Sequence, residues 1–226
     1  MLLPLLLATN ALAWEVQHAP GGAELGWGAM PVDYEVVTDE RLGGVALEAV
    51  HEAFRVWSSI EDSDARFVGS ESAKGPREAS FDATHSVFID DAWPYGDEVL
   101  ALAATWADPD SGELLHFDLR LNGNLSWGAA EQGGYDLQSA VTHEVGHVLG
   151  LDHTSEREAA MFAELAEGEV RQDLHYDDVD AVRYLYPPGM NEEEGGSGLP
   201  MTCSHSPGAP IVWLVLLSPL ALRRQR

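Results

Sequence analysis

His143-Glu-Val-Gly-His-Val-Leu-Gly-Leu-Asp-His153 is the stretch whose reading decides the fold and points to a function. On an α-helix, positions i and i+4 share a face, so His143 and His147 can offer two imidazoles to one zinc ion, with Glu144 carried beside them. Gly150 supplies a residue able to take φ > 0 and end the helix, after which the chain can turn back and deliver His153 as a third nitrogen ligand. Three protein ligands leave a fourth position for water, the arrangement of a catalytic zinc, whereas a structural zinc is closed by four protein ligands. Glu144 is then the candidate general base. The short form His-Glu-x-x-His would also fit a helix with incidental histidines; the added Gly and third His argue against that reading.

Outward from this motif, Met161 in Ala-Ala-Met-Phe follows His153 by eight residues. Leu174-His-Tyr-Asp-Asp-Val-Asp-Ala-Val-Arg-Tyr-Leu-Tyr186 carries the acidic pair Asp177 and Asp178, and Ala53-Phe-Arg-Val-Trp57 lies far upstream. Together these segments resemble the matrixins, a branch of the metzincin zinc metalloproteases, over about residues 30 to 187. The resemblance implies a metzincin-like zincin fold of the α+β class: a twisted, mostly parallel mixed sheet on two long helices, the zinc helix at the floor of a cleft, and a smaller C-terminal subdomain. It also implies that Met161 underlies the ligand plane as a Met-turn, as packing and not as a ligand. An antiparallel edge strand of that family pairs with extended substrate. Val99 to Trp106 resembles it, so Leu102 and Ala103 are expected to offer backbone groups to a peptide. Astacins and serralysins fit less well, since both place a Tyr two residues after the Met, where this chain has Ala163.

Some matrixin features are absent. The cysteine switch of family members with a propeptide has no counterpart, because the single cysteine is Cys203, far downstream. Of the second, structural zinc site, only His116-Phe-Asp118 resembles part of the pattern; Ala104 stands where a His is expected, and His85 is isolated in sequence. One catalytic zinc is expected, and no second.

Length and composition agree with one exported catalytic domain, residues 14 to 188, large enough at about 175 residues to bury its own core. Residues 1 to 13 form an apolar run closing on Ala11-Leu-Ala13, which reads as a secretory signal cleaved after Ala13. One cysteine excludes an intramolecular disulfide. The net charge of −26, from 38 acidic against 12 basic residues, excludes a nucleic-acid partner, which requires a basic surface. Most of that charge reads as solvated surface. Asp108-Pro-Asp110-Ser-Gly-Glu113 is the local cluster where calcium is the alternative use, although it lacks the full spacing of a calcium loop.

Within the domain, strands are expected at 31 to 37, 65 to 68, 86 to 89, 99 to 106 and 114 to 121. A helix is expected at 45 to 60, with Val50, Phe54 and Trp57 on one face as core, and the zinc helix opens near Asp136 as N-cap. Residues 189 to 202 read as a flexible acidic and Gly-rich linker. Residues 203 to 226 contain Cys203, an apolar segment from Ile211 to Leu222 and the cluster Arg223, Arg224 and Arg226. Cysteine, short apolar helix and terminal arginines in that order resemble the MYXO-CTERM class of bacterial C-terminal sorting tails, which implies processing near Cys203 and surface attachment; a plain membrane anchor is the alternative. The expected function is a zinc-dependent endopeptidase, a monomer acting on extracellular proteins or peptides at a bacterial cell surface or outer envelope, or after release. The alternative is a catalytically weak, zinc-dependent peptide-binding surface protein.

Overall fold

The computed structural model describes residues 13–128, 134–190, 213–214 and 222–224. The expected signal up to residue 12, the linker from residue 191 and Cys203 lie outside the described residues. In chain order the elements are β1 (Val32–Val37), α1 (Val45–Ser58), β2 (Phe67–Ser72), β3 (Ser86–Asp90), β4 (Ala101–Ala107), β5 (Leu114–Asn122), β6 (Trp127–Gly128), β7 (Tyr135–Asp136), α2 (Leu137–Val148), β8 (Glu164–Leu165), α3 (Tyr176–Leu185), β9 (Trp213–Leu214) and β10 (Arg223–Arg224).

The main sheet has the order β2-β1-β3-β5-β4-β9. β1, β2, β3 and β5 run parallel, while β4 pairs antiparallel with β5 and β9 antiparallel with β4. This is the mixed α+β sheet that the resemblance implied. Burial follows position: β1 alternates, with Val32, Tyr34 and Val36 inward and Asp33 exposed, whereas β3, covered on both faces, is buried at all five positions.

α1 earns its place through one apolar stripe, Val50, Ala53, Phe54 and Trp57, laid onto the sheet. Phe54 stacks on Tyr34 of β1 with ring centroids 3.7 Å apart, and the indole N–H of Trp57 donates to Thr142 O of α2 at 2.9 Å. α2 begins where expected: Asp136 is its N-cap, and its carboxylate accepts from Ser139 N at 2.8 Å. Every residue of α2 except Gln138 is buried, so this helix runs through the centre of the molecule.

After α2 the smaller C-terminal part folds back. Gly150 sits at φ 93°, and a Cβ there would lie 2.3 Å from Leu25 O, so the turn demands glycine on both counts. Tyr186, just past α3, is fully buried and its hydroxyl donates to Leu149 O at 2.6 Å, tying the end of α3 to the end of the zinc helix.

Two sequence expectations shift. The strand expected at 65 to 68 is β2 at Phe67–Ser72, because pairing with β1 begins at Phe67↔Val32, while Ala65 is buried in a turn held by Ser63 Oγ. The apolar stretch from Ile211 to Leu222 was expected to be helical, yet its described residues Trp213–Leu214 are extended on the β4 edge, and Arg223–Arg224 pairs parallel with β8. An unpaired sheet edge offers backbone hydrogen bonds that an isolated short helix would have to supply for itself. Among the described residues, no helix is long and apolar enough to cross a membrane.

Candidate metal centre

Helix geometry brings His143 and His147 together, and the turn at Gly150 returns His153 to them. Their Nε2 atoms form a nearly equilateral triangle: 3.1 Å between His143 and His147, 3.2 Å between His143 and His153, and 3.3 Å between His147 and His153. His143 Nδ1 lies 2.7 Å from Ala160 O and His147 Nδ1 lies 2.8 Å from Leu151 O. A carbonyl can only accept, so each Nδ1 carries the proton and each Nε2 directs a lone pair at its neighbours. Lone pairs converging in this way repel unless a cation lies among them. Donors about 2.0–2.1 Å from a tetrahedral zinc stand roughly 3.3–3.4 Å apart, so the triangle fits that ion. Among the described residues this is the only trio of His, Cys, Asp or Glu with ligand atoms within 4.8 Å of one another.

Electrostatics prepare the histidines for metal. Burial, with the neighbouring imidazoles adding to it, holds His143 well below the ordinary imidazole range and His147 at about 3; burial also lowers His153. All three are therefore neutral near pH 7 and free to ligate. Glu144 is fully buried, and desolvation raises it to about 8 against the opposing N–H groups of Leu222 and Ala103. Its Oε2 accepts from Ala103 N at 2.7 Å and its Oε1 from Leu222 N at 3.3 Å.

The supporting groups come from three separate parts of the chain. Asp178, in the first turn of α3, accepts from Ala160 N at 2.8 Å and Met161 N at 3.1 Å, fixing the carbonyl that orients His143. Gln17 donates to Leu151 O at 2.8 Å, the same carbonyl that receives the proton of His147. Met161 packs against α2, where its sulfur leaves no room for a side chain on residue 146: a Cβ on Gly146 would fall 2.1 Å from Met161 Sδ.

Other expected positions are distributed as follows. The Ala103 N–H is taken by Glu144 and the Leu102 side chain packs with Trp93; along the same edge Leu100 N and Glu98 O meet the Leu222–Arg224 segment, and Trp106 and Ala107 pair with Leu214 and Trp213. His85, isolated in sequence, is brought by β3–β5 pairing to His116, with their Nδ1 atoms 3.0 Å apart, while Ala104 pairs with Asp118. The Asp118 carboxylate accepts from Ser80 N and Ser86 N. In the Asp108 cluster, Oδ1 of Asp108 accepts from Asp110 N and Ser111 N and so closes the β4–β5 turn. The residues that orient the ligands, Gln17, Ala160 and Leu151, escape sequence reading because two act through carbonyls that any residue carries. Only the acidic pair Asp177 and Asp178 signalled that support.

Comparison with known proteins agrees with this geometry. The matrixin family model (peptidase M10) matches residues 26–187. The chain belongs to the matrixin family. Among its relatives, metalloendoproteinase 1-MMP of Arabidopsis thaliana is 30% identical over 170 residues, 72% of this chain and 44% of that protein. Metalloendoproteinase 2-MMP of the same plant is 35% identical over 48% of this chain and 29% of its own length. Matrix metalloproteinase-19 of Mus musculus is 31% identical over 65% of this chain and 27% of its own. The matrixin described here thus spans less than half the length of these relatives.

Proposed function

We propose that this matrixin is a zinc endopeptidase in which His143, His147 and His153 hold one zinc and Glu144 moves the protons. The observation that carries the reading is the triangle of three lone pairs beside a buried carboxylate, next to a strand whose outer edge pairs with extended chain. Zinc, when bound there, supplies Lewis acidity toward the scissile carbonyl and makes a water molecule more acidic. Glu144 accepts the proton of the attacking water and passes it to the departing amine. Burial raises the metal-free carboxyl to about 8, which favours holding the proton for the departing amine, and a cation bound beside it would favour the ionised form that takes the water's proton. Ala103 N–H fixes one carboxylate oxygen, and the other, which accepts from Leu222 N here, is the one available to the reacting atoms when that N–H withdraws. Met161 serves as packing under the ligand plane.

Peptide or protein outside the cytoplasm is the proposed substrate, with export by cleavage after Ala13 and surface attachment through the Cys203 tail, on the sequence features that resemble such signals. The test is hydrolysis of a quenched peptide library by the zinc-loaded chain, with and without chelator, alongside metal analysis. The expected result is turnover that disappears with the zinc and returns on its re-addition. Zinc bound in stoichiometric amount without turnover, in the parent chain and in Leu222→Asp alike, would replace this reading with a peptide-binding role.

A further inference from the structure

The cleft of this matrixin is lined by an extended segment of its own chain. Leu222 is 1% exposed and packs into an apolar pocket of Leu100, Tyr135, Ala140 and Leu165. On one side its carbonyl accepts from Leu100 N at 2.8 Å, and Arg224 N donates to Glu98 O at 2.7 Å, an antiparallel pairing centred on Val99↔Arg223. On the other side Arg223 N donates to Ala163 O at 3.0 Å, and Arg223–Arg224 runs parallel to Glu164–Leu165. The segment is therefore a strand inserted between two walls of the site, hydrogen-bonded to both.

The register of this insertion matters chemically. Leu222 N lies 3.3 Å from Glu144 Oε1, where the proposed reaction requires the departing amine to receive its proton. Upstream, Leu214 pairs with Trp106 and Trp213 with Ala107, again antiparallel to β4. From Leu214 to Arg223 the segment advances nine residues while β4 recedes seven, from Trp106 to Val99, so both pieces follow one edge in one direction. Two arginines in an otherwise strongly acidic protein add long-range attraction to the backbone pairing.

We propose that Leu222–Arg224 is an intramolecular inhibitor: it occupies the cleft as a substrate would, with Leu222 in the side-chain pocket, and so excludes other peptides. The proposal rests on the peptidase reading above. A tethered strand competes at an effective concentration of about millimolar, so even weak seating would hold most molecules closed.

Two full-length variants test it by different means. Leu222→Asp places a charge in the apolar pocket, and Arg223→Pro removes the N–H given to Ala163 O. Hydrogen exchange read on the zinc-supplemented chains should show the Leu100 amide exchanging at least tenfold faster in both variants, and peptide hydrolysis should rise by at least tenfold. Unchanged exchange would overturn the proposal, since the segment would not be seated. Faster exchange with unchanged hydrolysis would overturn it too, since seating would then inhibit nothing. Release of the peptide Leu-Arg-Arg-Gln-Arg from the parent chain, by addition of water across the bond before Leu222, would make the segment a substrate and overturn inhibition. Absence of chelator-sensitive hydrolysis in all chains would refute the peptidase reading, and inhibition with it, while the exchange data still decide whether the segment occupies the cleft.

Discussion

At the scale of single residues, each side chain of the zinc helix has one task that a neighbour cannot take over. Glu144→Ala leaves all three imidazoles in place but removes the group proposed to carry protons, and general acid–base catalysis typically contributes ~10²–10⁴-fold. Turnover is expected to fall by roughly that factor while bound zinc, measured by metal analysis, stays stoichiometric; retention of a tenth of the activity would exclude Glu144 from the mechanism. Gly146 tests the packing beneath. Its missing side chain is what lets Met161 and Trp57 close against α2, and Trp57 is anchored by its bond to Thr142 O, so it cannot step aside. Gly146→Ala is expected to cost about 1–3 kcal/mol by overpacking, read as a lower denaturant midpoint with unchanged slope. A neutral outcome would mean that Met161 relocates freely and is not fixed under the zinc.

Among elements, α3 reaches the candidate metal site through Asp178. The Asp178 carboxylate gathers Ala160 N, Met161 N and His175 N, so one side chain caps α3 and sets the carbonyl that orients His143. Asp178→Ala leaves these donors without that partner and is expected to weaken zinc binding about 10–100-fold, measured by competition with a chromophoric chelator. Unaltered zinc affinity would reduce Asp178 to a helix cap. The sequence made this arrangement only half legible. Periodic apolar residues and the capping Asp136 are local signals, so α1, the start of α2 and four strands of the main sheet could be read within two or three residues of their ends. The ligand triad was equally legible, because helix pitch alone joins His143 to His147. What could not be read depends on contacts distant in the chain. Examples are the meeting of His85 with His116 across β3 and β5, the pocket assembled from Leu100, Tyr135, Ala140 and Leu165, and the return of Leu222 to Glu144 across 78 residues. An apolar run reads the same whether it enters a membrane or an apolar pocket.

For the whole molecule, the buried ionisable groups set opposing pH dependences that zinc should rebalance. In the metal-free chain, folding keeps His85 near 4 through burial and the adjacent His116, His147 near 3, and His143 and His153 below the ordinary value of 6.5. Unfolded imidazoles bind protons that the folded ones refuse, so stability conferred by these groups is complete above about pH 6.5 and is lost progressively as pH falls below it. Glu144 has the opposite sign. Its folded carboxyl stays protonated up to about 8 against an ordinary 4.5, so its contribution is complete below about pH 4.5 and is lost as pH rises toward 8. Between 4.5 and 6.5 several histidines outweigh Glu144 and Asp178, whose carboxyl burial also raises, and above 6.5 the histidines no longer contribute to the slope. Metal-free stability is therefore expected to peak near pH 6.5, and Glu144→Gln, which cannot ionise, should abolish the decline from 6.5 to 8 while keeping the acid limb. Denaturant midpoints in chelator at pH 5, 6.5 and 8 provide the measurement, and parallel curves for the parent and Glu144→Gln would show that Glu144 is not held protonated by its surroundings. Zinc should flatten the alkaline decline in the parent, because a cation beside the carboxylate favours the ionised form that burial alone opposes.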